Sequence, residues 1–212
     1  MKRKTFCALA TSLLLAFAGN AQAIPYGFTV LENNSTAYDL SGQLFVDVTD
    51  AGSGTTNFLF TNAGTIDSFI ADIYFDWGST PLTFSDFSST GEVVFSVGAS
   101  PGDLSGGTDI SFTSDWDADA DSPGSDKDGI DNWTGSGTQD SLTIAFFGAS
   151  FNSILAALNS GDLRIGLHVQ GLPDDESESY VNTPVPEPAT MLLFGTGLAG
   201  LAGAARRKIK KA

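Results

Sequence analysis

The densest chemistry in the chain lies between Asp115 and Asp131. Asp115, Asp117, Asp119 and Asp121 alternate with Trp116, Ala118 and Ala120, and Asp126, Asp128 and Asp131 follow around Lys127 and Gly129. Carboxylates at alternate positions, with a glycine to allow a sharp turn, suit a hard cation such as calcium, which takes about six to eight oxygen ligands. The EF-hand spacing is absent, because counting from Asp117 the sixth position is Ser122, and counting from Asp126 the twelfth is Gly137 rather than Glu. The plainer expectation is a long acidic loop kept open by its own charge, with Pro123-Gly124 at its tip. The sharper one is a weak calcium site built from these seven aspartates, ordering the loop without catalysing anything. No other cofactor is expected.

The remaining candidates are sparse. His168 is the one histidine, and nucleophilic triads and zinc sites usually need histidine beside Ser, Cys or carboxylates. In the run Leu163 to Gln170 it shares a face with Arg164 and Gly166, opposite Leu163, Ile165, Leu167 and Val169, which predicts a surface residue. A glycosidase needs only two acids about 5 to 9.5 Å apart, but 25 acidic residues make some such pair inevitable. Trp77, Trp116 and Trp133 suit either sugar stacking or plugging the ends of a β-structure. No catalytic residue is assigned, and the chain is expected not to be an enzyme.

The elements that must carry these groups read as strands and turns. Between Gly27 and Gly171 apolar residues alternate with polar ones and are broken by Gly, Ser, Asp and Asn. Strands are expected at 43–48, 56–60, 66–77, 82–87, 92–97, 109–113, 142–147 and 163–170, with a hairpin turn at Asp50 to Gly54. One helix interrupts them: Phe151, Ile154, Leu155 and Leu158 make a single stripe, with Ser150 as N-cap and Gly161 past the end. The fold class is therefore all-β, an antiparallel two-sheet sandwich or jelly roll with one short helix.

Charge and the two ends set the location. Met1-Lys2-Arg3-Lys4, an apolar stretch from Thr5 to Gly19 and Ala21-Gln22-Ala23 form the pattern of a secretory signal peptide over residues 1–23, which also removes the lone Cys7. The domain 24–183 follows. Within it only Lys127 and Arg164 stand against nearly all of the 25 acidic residues, which argues against nucleic acid as a partner. The tail 184–212 has three parts. Pro184, Pro186 and Pro188 impose an extended strip. The uncharged run 189–205 reaches roughly 25 Å as a helix, enough to cross an inner membrane with local thinning. Arg206, Arg207, Lys208, Lys210 and Lys211 then hold the far end on the cytoplasmic side.

Val185-Pro186-Glu187-Pro188, the Gly-rich apolar run and Arg206-Arg207-Lys208 together resemble the PEP-CTERM protein-sorting signal. The resemblance implies export through the secretion translocon, transient anchoring through 189–205 and recognition of Val185, Pro186, Glu187 and Pro188 by a membrane-embedded exosortase, with Arg206 to Lys208 as the stop-transfer cluster. The body also resembles a group of PEP-CTERM proteins through 71–76, 95–102 and 163–171, which supplies no catalytic residues. The expected role is structural or adhesive, at the cell surface or in an extracellular polysaccharide matrix such as a biofilm. The alternatives are a calcium-assisted glycan-binding module and, third, a secreted carboxylate-dependent hydrolase.

Overall fold

The computed structural model describes residues 23–32, 38–122, 127–132, 139–173 and 176–184. The expected signal segment up to residue 22, the sorting motif from Val185, the apolar run and the basic cluster lie outside the described residues, as do Asp126 and Trp133.

Strand follows strand along the chain: β1 (Ile24–Glu32), β2 (Leu44–Gly52), β3 (Thr55–Asn62), β4 (Phe69–Asp76), β5 (Thr83–Thr90), β6 (Phe95–Val97), β7 (Trp116–Ala120), β8 (Ile130–Asp131) and β9 (Ser141–Phe147). Helix α1 (Phe151–Ser160) then leads into β10 (Arg164–Leu172) and β11 (Glu176–Pro184). The expected antiparallel all-β architecture with one short helix is present. The strands make one continuous sheet, in the order β5-β9-β3-β2-β1-β11-β10-β4-β7-β6 with β8 beside β4, in place of two separate sheets. What joins the halves is the pairing of the first strand with the last, Tyr26 opposite Pro184 and Phe28 opposite Asn182.

The sheet curls until its halves face each other and share one core. Period-two alternation puts Leu44, Val46 and Val48 of β2 and Phe58 and Phe60 of β3 inside, all fully buried. Phe75 of β4 reaches across to them, its ring 5.3 Å from that of Phe58, 5.0 Å from Phe146 and 5.7 Å from Trp116. Such edge-to-face pairs contribute about 0.5–1.5 kcal/mol each beyond the area they bury. Where β5 and β7 come together without pairing, Phe84 stacks on Trp116 at 5.4 Å and fills the seam.

Strand β4 is buried along its whole length because both of its faces are covered. Ile70, Ile73 and Phe75 look into the core, whereas Tyr74 packs on the outer face with Leu104 and Phe112 of the segment between β6 and β7. That segment lies close: a Cβ on Gly166 would stand 2.6 Å from a Leu104 methyl group, so any larger residue there must push the Leu104 side chain aside.

Several expectations need correction. The acidic stretch is not a loop from Asp115 to Asp121, because Trp116–Ala120 is a strand paired with β4 and β6. The alternation that resembles a ligand pattern is the period of a strand with Trp116, Ala118 and Ala120 turned inward. Residues 109–113 do not form a strand either. Gly106 (φ 70°) and Ser111 (φ 54°) are left-handed, which closes a 3-10 turn at Gly107–Ile110. Strands β1 and β11 were not anticipated, and helix α1 is capped as expected, Ser150 accepting from the Ser153 N–H at 3.2 Å.

Candidate functional site

The polar residues of β4, β7 and β10 share the outer face of the sheet and are brought together by register. His168 stands opposite Asp72 and also opposite Ser179 on β11, and Asp72 stands opposite Asp119, which stands opposite Ser96. One row thus crosses five strands. His168 Nδ1 lies 2.7 Å from Asp72 Oδ2, and Gln170 Nε2 lies 3.4 Å from the same nitrogen. Asp72 is 2% exposed, and its other oxygen, Oδ1, makes no hydrogen bond to the described residues. His168 keeps the face expected of it, but it is half-buried and partnered rather than free at the surface.

The neighbouring positions on this face are crowded with negative charge. Burial, and then the charges of Asp72, Asp121 and Asp117, raise the Asp119 carboxyl above its ordinary range. Tyr74, whose hydroxyl donates to the Pro101 carbonyl at 3.0 Å, is pushed well up by burial and then by Asp72, Asp117, Asp119 and Asp103. At the far end of β10 Arg164 offsets part of this. Its guanidinium pairs with Asp76, donates to the Ile110 and Ser111 carbonyls at 2.6 Å each and lies 5.3 Å from the Phe112 ring. It clamps the segment between β6 and β7 onto the sheet.

Most of the aspartates proposed for calcium have hydrogen-bond partners within the domain. Asp115 accepts from the Trp77 N–H at 2.8 Å, Asp117 from the Ala99 N–H at 2.5 Å and the Ser114 hydroxyl at 3.1 Å, and Asp121 from the Ser96 hydroxyl at 2.6 Å. Asp119 sits on the outer face of β7. Asp128 is buried, with Lys127 Nζ 3.7 Å away, and Asp131 lies on β8 beside Asp140. Among the described residues no group of three or more His, Cys, Asp or Glu is placed to hold a metal ion.

Asp140 was missed by spacing, since nothing near residue 140 marks it. Burial, and then the charge of Asp131, push its carboxyl up to about 6. Asp140 also closes against Gly91, where a Cβ would meet its Oδ1 at 1.6 Å and the backbone is left-handed (φ 77°). Because the folded state holds this proton more tightly than the unfolded chain, its stabilising effect is complete below about pH 4 and is lost as pH rises through about 6. Asp140→Asn removes the dependence. The variant is expected to match the wild type at pH 4 and to exceed it by about 1–2 kcal/mol at pH 7, after allowing for solvent screening of the group. Melting curves at the two pH values check this.

Beyond the site, β11 runs to Pro184 while still paired with β1, and the tail begins there. Residues 184–208 match the PEP-CTERM protein-sorting motif. The match supports an exported protein that is anchored transiently in a membrane and processed by an exosortase. No curated protein and no solved structure matches the chain. No helix among the described residues is long and apolar enough to cross a membrane, and the run 189–205 lies outside them.

Proposed function

We propose that the chain is an exported, non-enzymatic β-domain with a structural or adhesive role at the cell surface or in an extracellular polysaccharide matrix, delivered there by exosortase processing. The observation that carries this is the match of residues 184–208 to the sorting motif directly after the last strand of an acidic domain, several of whose charged side chains are committed to internal bonds. Asp76, Asp115, Asp117, Asp121 and His168 each hold a neighbouring element in place. No step of this role requires a cofactor. Melting temperatures in millimolar calcium and in chelator are expected to agree, and a rise in calcium would reinstate the metal site.

The delivery step is tested by intact mass and C-terminal peptide mapping of protein recovered from its native host, beside Glu187→Ala. The wild type is expected to lack everything after the Pro-Glu-Pro region and the variant to keep it. Retention of Arg206 to Lys211 in both would make the protein a plain membrane-anchored surface domain.

The alternatives find less support. In the glycan reading Trp116 offers a platform, yet one of its faces is stacked on Phe84 and its edge packs against Phe146 at 5.0 Å. A glycan array with and without chelator separates that reading from the structural one. For a carboxylate-dependent hydrolase, Asp131 and Asp140 hydrogen-bond each other directly, which leaves no room between them for a glycosidic bond.

A further inference from the structure

The outer surface of the curled sheet is uneven in how its polar groups are used. Over β4, β7 and β10 the side chains of Asp72, Asp76, Asp117 and Arg164 are bonded within the domain. Over β2, β3, β9 and β5 the only charged outward residues are Asp47, on β2, and Asp86, on β5, with Asp50 beyond them in the β2–β3 hairpin. Register lays this part out as a grid. Asp47 stands opposite Leu59, which stands opposite Thr143, and in the next row Thr49 stands opposite Asn57. Such neighbours are about 4.8 Å apart across the strands and about 6.8 Å apart along them.

Asp47, Thr49, Asn57 and Thr143 are all half-buried, and none of their side chains hydrogen-bonds to a described residue. Burial raises the Asp47 carboxyl above its ordinary range, and no donor or cation among the described residues offsets that cost. Phe45 and Leu59, half-buried as well, flank it with apolar surface. The segment between β6 and β7 lies on β4 and β10, and helix α1 packs against β11, so both lie elsewhere.

The chemistry of the grid selects its occupant. An ionised carboxylate can only accept, so it needs O–H or N–H donors, whereas Thr hydroxyls and the Asn amide both donate and accept. A chain of sugar units presents hydroxyls for both roles, with apolar C–H faces between them. Anionic polymers are repelled by Asp47, Asp86 and the acidic domain that carries them. A second copy laid on this face would set Asp47 against a surface with no cation to receive it. Paired strands hold the groups in place, so little freedom is lost on binding.

We propose that the outer face of β2, β3 and β9 around Asp47 binds a neutral polysaccharide chain, with Asp47 accepting from sugar hydroxyls and Phe45 and Leu59 lying under the ring faces. This rests on the adhesive reading given above and names its partner surface. It requires neither calcium nor the tryptophans.

The test measures binding of protein recovered from its native host, in chelator, to the neutral polysaccharide fraction of the host's own matrix, to cellulose, to dextran and to cationic chitosan. Each is run at about 0.05 and about 0.5 M salt. Asp47→Ala and the pair Asn57→Ala with Thr143→Ala are compared with Asn152→Ala, an exposed position on α1. None of these side chains holds a neighbour through a hydrogen bond, so melting temperatures should not fall. The wild type is expected to bind the host fraction with an affinity that salt changes by less than about twofold. Asp47→Ala should weaken binding about tenfold and the pair about fivefold, with Asn152→Ala unchanged.

Wild-type affinity in both grid variants, or no binding to any neutral polysaccharide, would overturn the site. Binding to chitosan alone, abolished by high salt, would overturn it in favour of plain attraction to a polycation. A dimer in sedimentation that Asp47→Ala alters would overturn it in favour of a second copy. If fractionation of the host finds the protein neither at the cell surface nor in the matrix, the adhesive reading fails and this inference with it. Protein that reaches the matrix and is retained by no neutral polysaccharide sinks this inference alone.

Discussion

Phe75→Ala is expected to lower the stability of the domain by about 3–5 kcal/mol, the range for removing a large aromatic side chain from a packed core. Phe75 is fully buried and its ring meets those of Phe58, Phe60, Trp77, Trp116 and Phe146. Those partners come from β3, β7, β9 and the end of β4, on both halves of the curled sheet. Because rigid strands carry the surrounding rings, the site has little freedom to collapse, which places the cost toward the upper part of the range. For a domain of this size the melting temperature should fall by about 10 °C or more. Phe87→Ala is the internal comparison: Phe87 is only half-buried at the seam, and its loss should cost about 1–2 kcal/mol. Equal costs for the two would mean that the halves of the sheet do not share one core.

Arg164→Ala should cost about 3–4 kcal/mol, for a different reason. The guanidinium is the charge partner of Asp76, which is 7% exposed and also accepts from the Gly78 and Thr113 N–H groups at 3.2 and 3.3 Å. Removing the cation leaves a buried carboxylate with two neutral donors and releases the carbonyls of Ile110 and Ser111. Arg164→Lys should recover only part, since one ammonium cannot reproduce the planar fork that reaches the carboxylate and both carbonyls. In Arg164→Ala with Asp76→Asn the uncompensated charge is gone, and roughly half of the loss should return. Denaturant unfolding of the three variants measures this. A double variant as unstable as Arg164→Ala would show that the clamp acts through packing on Phe112 and not through charge.

Much of the fold was legible where alternation is strong. Leu44, Val46 and Val48, or Phe58 and Phe60, declare a buried face without help from any other part of the chain. The strand β7 obeys the same rule, yet its outward aspartates at alternate positions have the spacing of metal ligands and mask the inward Trp116, Ala118 and Ala120. Strand β11 was hidden for the opposite reason: Glu178 and Ser179 are buried there, and nothing local says that polar residues will be covered. The candidate site was less legible still. Asp72 and His168 are 96 residues apart and meet only because β4 pairs with β10 in one register, including an irregularity between His168 and Val169. Short-range spacing carries no trace of that. The sorting motif is the exception, because its three parts are read in order along the chain and need no fold.

The position of β11 also has a mechanical meaning. This strand is not at an edge: it is bonded to β1 on one side and to β10 on the other, antiparallel to both. If the processed end stays attached to a surface, any drag on the domain enters the sheet at Pro184 and runs along the axis of β11. The strand can leave only by sliding past both neighbours, so the two ladders are loaded in shear and their hydrogen bonds resist together instead of opening one after another. The domain hangs from the strand best placed to bear its load.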